Sequence, residues 1–189
     1  MKLSDGEKII ILMLTELHQK LQVDSEMEPD FLRSAIFNDM LWGIRWKYSG
    51  IPFSDAEDPE IVREVLDILD MWSCIERSYA RLDSSGKESI KQCLGVLGDS
   101  PRFQGFDGNN ESEYVGTALF LVNELERFVE FKGRGFNCHY PSIDMHRRML
   151  SAFEQLRRKF TSAELSADQL LTILHEQIDP SNREARHST

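Results

Sequence analysis

The sequence predicts an all-α protein: a multi-helix bundle of about seven helices with no significant sheet. Three observations carry that expectation. Apolar residues recur at helical spacing through most of the chain. Capping signatures stand where those periodic stretches begin. No two consecutive stretches alternate with period two, so there is neither a hairpin signal nor a strand–helix–strand rhythm.

The first helix is announced by Ser4 and Glu7, a capping-box pair. Ile10, Leu14, Leu17 and Leu21 then supply a stripe at helical spacing. The run Ile9-Ile10-Ile11-Leu12 alone would suit a strand, but the cap and the continuation to Leu21 favour a helix of about five turns. Glu28-Pro29 opens a second helix, with Pro29 in the first turn, where a missing N–H costs nothing. Leu32, Ile36 and Met40 stack at intervals of four, and Phe37, Leu41 and Ile44 widen the face. This helix is expected to run through Trp42 and Trp46 to Tyr48, where Ser49-Gly50-Ile51-Pro52 breaks it.

Asp58-Pro59 reads as an N-cap acid followed by Pro at the first helical position. The helix after it has the clearest apolar face in the chain, formed by Val62, Val65, Leu66, Leu69, Trp72 and Ile75 and extended by Tyr79 and Leu82. Asp83-Ser84-Ser85-Gly86 is expected to end it, with a short helix over 89–97 stopped by Gly98. A Gly/Asn/Asp-rich loop occupies 103–110. One helix is expected over 111–130, with Tyr114, Ala118, Leu121, Leu125 and Phe128 on one side. A second loop covers 131–140, and Pro141-Ser142 opens a helix carrying Ile143, Met145, Met149, Leu150, Phe153, Leu156 and Phe160. Ser166 and Gln169 form the capping box of a last helix over 167–177. Residues 1–178 are expected to be a single domain and 179–189 a disordered polar tail.

The chain has 189 residues and a formal net charge of −10, which argues against sequence-independent nucleic-acid binding. The best basic cluster, Arg147, Arg148, Arg157, Arg158 and Lys159, reads as a solvated helix face. Cys74, Cys93 and Cys138 are widely spaced and form no CxxC pair, so no structural zinc is expected and a reducing cytoplasm suits them. No apolar run approaches the length of a bilayer span, and the N-terminus has no cleavage-site pattern; neither membrane insertion nor a signal peptide is expected.

The two loops carry more than composition. Phe103-Gln104-Gly105-Phe106-Asp107-Gly108-Asn109-Asn110-Glu111, followed by Glu113-Tyr114-Val115-Gly116 and Phe120-Leu121-Val122, resembles the YfbU family of bacterial proteins. So does the stretch from Phe131 through Gly135-Phe136-Asn137 to Pro141, with Arg148-Met149-Leu150 after it and Leu165-Ser166-Ala167-Asp168 further on. The resemblance covers residues 4 to about 178 and implies a helical domain; it brings no reaction with it. Some relatives carry a ribbon-helix-helix segment ahead of the domain. Because the first helix here begins near residue 5, no β-strand arm is expected, which weakens a DNA-binding role.

Several residues offer candidate chemistry. Asp107, Asn109, Glu111 and Glu113 cluster oxygen donors, but their spacing fails the calcium-loop pattern, and a turn whose polar side chains cap the next helix is favoured. Phe103, Phe106, Tyr114 and Phe136 could line a ligand pocket, but packing at the end of a bundle is the favoured role. Gly105, Gly108 and Gly135 are expected where the backbone turns tightly or approaches another element. Arg134 and His139, separated by four residues, resemble the Arg-x(4–6)-His motif of HEPN ribonucleases. There His moves a proton while Arg stabilises phosphate charge. Any Arg-bearing loop with a nearby His meets that spacing, so this ranks as the alternative.

His18, His146, His175 and His187 show no ligand spacing, and His146 beside Arg147 and Arg148 reads as a polar helix side. No Walker loop, nucleophile elbow, HExxH or Rossmann fingerprint is present, so the balance leans away from an enzyme and toward no cofactor and no metal. The first helix over 9–12 and the third over 72–79 are more apolar than one surface stripe requires, which predicts a homo-oligomer, a dimer or larger. The resulting expectation is a cytoplasmic protein acting through protein contacts in regulation or stress response, with a metal-independent ribonuclease as the alternative.

Overall fold

The computed structural model describes residues 2–53, 57–158 and 164–181. Those residues form eight α-helices and no strand: α1 (Asp5–Leu21), α2 (Pro29–Phe37), α3 (Leu41–Lys47), α4 (Glu60–Arg81), α5 (Ser84–Leu94), α6 (Ser112–Leu119), α7 (Ile143–Arg157) and α8 (Ala167–His175). The sole strand-like feature among them is an isolated parallel bridge between Phe106 and Asn137. The all-α expectation holds. Lys159, Phe160, His187 and most of the expected polar tail, 182–189, lie outside the described residues.

α4 is the spine. Nine of its 22 residues are buried, among them Ile68, Leu69, Met71, Trp72 and Ile75. It packs against α6, α7 and α8, while α5 and α7 flank α8. α1 sits at the periphery and packs mainly on α2. Both capping boxes form as the sequence predicts: the Ser4 and Ser166 side chains accept the N3 amides, and the Glu7 and Gln169 side chains reach back to the cap amides.

The boundaries differ from the sequence expectation in five places, each with a local cause. The long second helix is two helices. Asn38–Met40 interrupts it, with Asp39 at φ 55°, so Met40 leaves the stripe of Leu32 and Ile36. Gly43 is required in α3, because a Cβ there would overlap the Phe120 ring. Asp58 is not the N-cap of α4: Pro59 holds that position, and the Asp58 carboxylate instead takes hydrogen bonds from Arg45 (2.5 Å) and Trp46 (3.2 Å). Asp83 does not merely end α4. Its side chain accepts from the Gly86 amide and N-caps α5, which begins five residues earlier than expected and tightens into a 3-10 turn at Gly95–Gly98.

The helix expected over 111–130 stops far short. After α6 the chain widens into a π-type turn over Phe120–Glu124, in which the Leu125 amide reaches back to Phe120 O. Glu126 and Phe128 then take positive φ, which ends the helical path. The last helix ends at His175 rather than 177.

Candidate functional site

The two Gly-Phe loops meet. The Phe106 amide donates to Phe136 O at 2.9 Å, and the Cys138 amide donates to Phe106 O at 2.9 Å. Gly105 has φ 93°, and a Cβ there would overlap the Phe136 carbonyl; Gly108 lies against the Asn137 side chain in the same manner. Asn137 Oδ1 accepts from both the Gly108 and His139 amides. These two glycines therefore answer to close approach. Gly135 does not: nothing lies within 4 Å of a Cβ built there and its φ is not positive, so the expectation for it is corrected, and the positive φ in that loop belongs to Gly133.

Beneath this crossing is a polar knot. The Glu111 carboxylate accepts from the amides of Asp107 (2.8 Å), Ser142 (2.8 Å) and Ile143 (2.9 Å) and from the Ser142 hydroxyl. Burial pushes the Glu111 carboxyl up, but those donors outweigh it and the net pKa is lowered. Asp107 accepts from the Asn110 side chain and the Asn109 amide, which hold its carboxyl below the ordinary value. It does not cap α6: Glu111 occupies that N-cap position and makes no side-chain cap bond.

His146 closes the knot from below. It is fully buried, not part of a polar helix side. Trp72 Nε1 can only donate, so the 3.1 Å contact to Nδ1 makes that nitrogen the acceptor. Nε2 then carries the proton and donates to Gly105 O at 3.0 Å. Burial pushes the imidazole down to about 4, so the ring is neutral at pH 7. Phe103, Phe106 and Phe136 are buried around it, and Phe103 contacts the rings of Trp72, Phe131 and His146. Tyr114 is half-buried. Its hydroxyl donates to Glu64 at 2.6 Å, and burial first, then that carboxylate, push the phenol up to about 12. Gly116, in α6, has only Met40 near a built Cβ, and Pro141 is exposed beside the knot.

Arg134 and His139 do not share a task in this arrangement. Arg134 donates to Glu76 at 2.8 Å and lies over the Phe131 ring, while the same Glu76 oxygen accepts the Phe103 amide. His139 is exposed, at φ 61°. In the basic cluster, Arg147 pairs with Glu64 at 2.6 Å, Arg157 pairs with Asp70 at 2.9 Å, and Arg148 donates to Glu176 O. Among the described residues no group of three His, Cys, Asp or Glu side chains is placed to hold a metal ion, and no helix is long and apolar enough to cross a membrane.

The surface feature that stands out is α1. Ile9, Ile10, Met13, Leu14, Leu17 and Leu21 are each between 52% and 71% exposed. At about 100° per residue these six cover an arc of roughly 140°, wider than the stripe by which a surface helix normally faces its own core. Thr15 is the one buried residue of this helix, with Ile11 and Leu12 half-buried beside it. By contrast, the apolar span over 72–79 is covered by the chain itself, so it gives no reason for a second subunit.

Sequence reasoning missed His146, although its spacing from Ile143, Met149, Leu150 and Phe153 already put it on the buried face of α7.

Two comparisons with known proteins bear on this chain. The YfbU domain model matches residues 1–175. A UPF0304 protein of the archaeon Methanocaldococcus jannaschii is 28% identical over 116 residues, covering 59% of this chain. The chain spans 64% of that relative's own length, and the likeness extends beyond bacterial proteins.

Proposed function

We propose that this chain, which belongs to the YfbU family, acts through protein contacts, and that the exposed face of α1 is where a second copy docks. The observation that carries the reading is the six-residue apolar arc that the described residues leave more than half exposed. Large exposed apolar patches on soluble domains mark interaction sites. The occupant is argued from charge: the first turn of α1 carries Asp5 and Glu7, and its last turn carries Lys20. An antiparallel two-fold pairing sets each acidic turn against the other copy's basic turn, as isologous symmetry requires. Two copies bring together twelve half-exposed aliphatic side chains. Their burial is worth on the order of 10–15 kcal/mol gross, enough to offset an association cost of about 4–15 kcal/mol over most of its range.

The functional unit is taken to be residues 1–178, working in a reducing cytoplasm that suits the free thiols of Cys74, Cys93 and Cys138. Regulation or stress response is the setting in which a contact module without an assigned reaction fits. The ribonuclease reading ranks below it, because Glu76 already takes the Arg134 charge that a phosphate would need.

Sedimentation equilibrium at tens of micromolar (about the usual working range) tests the first reading. The wild-type chain is expected above its 21.9 kDa monomer mass, and Leu17→Asp at the centre of the arc is expected to return it to monomer with its helical circular dichroism retained. A wild-type chain that sediments only as monomer would sink it.

A further inference from the structure

The inner edge of α1 borders something different from its outer face. Between α1, α2 and α3 lies a cavity of about 360 Å³, within the size range of sites that hold small organic molecules. Ile11, Leu32, Ile44 and Phe53 form apolar walls, and the exposed lining residues Leu14 and Ile51 mark its mouth. Two lining side chains are polar. The Thr15 hydroxyl is already engaged, donating to Leu12 O at 2.7 Å. His18 Nε2 is not: it is buried and meets no hydrogen-bond partner among the described residues. A buried polar atom without a partner has lost its hydration and gained nothing for it, and native structures hold few of these.

We propose that this cavity binds a single-chain aliphatic amphiphile, whose chain lies along Ile11, Leu32, Ile44 and Phe53 and whose hydroxyl or carboxyl head meets His18 Nε2. The chemistry follows from the lining. An apolar wall with one unsatisfied ring nitrogen selects one hydrocarbon chain and one polar group; a polyol or a nucleotide would leave its other polar groups unpaired. The two heads separate by tautomer. A bare Nε2 accepts from an alcohol, and a protonated one donates to a carboxylate.

The cavity shares only Leu14, at its mouth, with the proposed dimer face; Ile9, Ile10, Met13, Leu17 and Leu21 do not line it. The two proposals are told apart by their readouts, sedimentation for the dimer and methyl shifts inside the cavity for the ligand.

Methyl-resolved NMR titration of the full chain with octanol and with octanoate tests it. Saturable shifts are expected at the Ile11, Leu32 and Ile44 methyls for at least one of the two probes. His18→Leu should weaken that probe about tenfold, the value of one hydrogen bond in a buried site. Leu32→Trp, which fills the cavity, should abolish the shifts, with Leu32→Phe as the smaller filler if tryptophan unfolds the chain. The proposal is overturned if neither probe saturates, if His18→Leu leaves both affinities unchanged, or if the shifts fall on Ile10, Leu17 and Leu21 instead.

Discussion

α1 and α4 are the two longest helices among the described residues, and they use apolar residues in opposite ways. α1 contains six apolar residues in a row, from Ile9 to Leu14, yet buries Thr15 and little else. α4 never places more than two apolar residues side by side between Glu60 and Leu69, yet buries nine positions. Periodicity accounts for the difference. α4 confines its apolar residues to one face, which α6, α7 and α8 cover, and leaves Arg63, Asp67 and Arg77 to water. α1 is apolar over two faces and can lay only one of them on α2. How apolar a helix is thus says less about its burial than how narrowly its apolar residues are aligned, and the surplus face is what the chain has available for something outside itself.

The largest test of that contrast is truncation at matched depth along each helix. Trp72→Ala in α4 removes a side chain only 2% exposed and leaves His146 Nδ1 without its donor, so a loss of about 4 kcal/mol or more is expected. Leu17→Ala in α1 is expected to cost under about 0.5 kcal/mol in the monomer, as exposed substitutions do. Urea unfolding midpoints at low concentration decide it. Equal losses would break the comparison.

Acid probes the same spine at a single group. The His146 pKa is depressed, from 6.5 to about 4, so the unfolded chain binds the proton more readily than the folded one. Stability should therefore be insensitive to this residue above about pH 6.5. It should fall as the pH drops toward 4, by roughly 3 kcal/mol in all, and no further below that. Glu64, Asp107 and Glu111 have lowered pKa values, so their contribution is present above the ordinary carboxylate range and is lost only as the pH falls beneath it. The two windows are separable in urea unfolding measured from pH 7.5 to 3. A slope between 6.5 and 4 that persists in His146→Phe would show that another group is responsible.

The helical fold was legible because it rests on local signals. The Ser4 and Ser166 capping boxes and the α4 periodicity each lie within a few residues of one another. The breaks were not, because they rest on distant partners. Asp58 looks like a cap until Arg45 and Trp46 take its carboxylate, and α6 stops where Phe120, packed against Gly43, Phe31 and Trp42, begins a wider turn. At the loops, sequence marked the glycines and phenylalanines but not what joins them. Glu111 reaches Ser142 across 31 residues, and Trp72 meets His146 across 74, distances over which spacing carries no information. The surplus apolar run of α1 was visible from the start; that it faces outward could be learned only once α2 was seen to cover the other side.

The smallest expected effect sharpens the comparison most, because it applies one chemical change to two helices. Ser4 and Ser166 make the same capping box, each accepting the N3 amide at 3.3 Å while the N3 side chain returns to the cap amide. Replacing such a serine by alanine costs about 1 kcal/mol when the helix end is held by the rest of the fold. α8 is held in that way: Leu170, Ile173 and Leu174 are buried, so fraying its start strains the core, and Ser166→Ala should lower global stability by about that amount. α1 is docked along one edge, and its first two turns contribute only the half-buried Ile11 and Leu12. Its start can open without disturbing the spine, so Ser4→Ala should leave the global unfolding midpoint nearly unchanged. The loss should appear instead as faster hydrogen exchange confined to the amides of the first two turns of α1. Exchange that rises equally across α4 in Ser4→Ala would mean that α1 is coupled to the core after all, and the separation between a structural helix and a presenting one would fail.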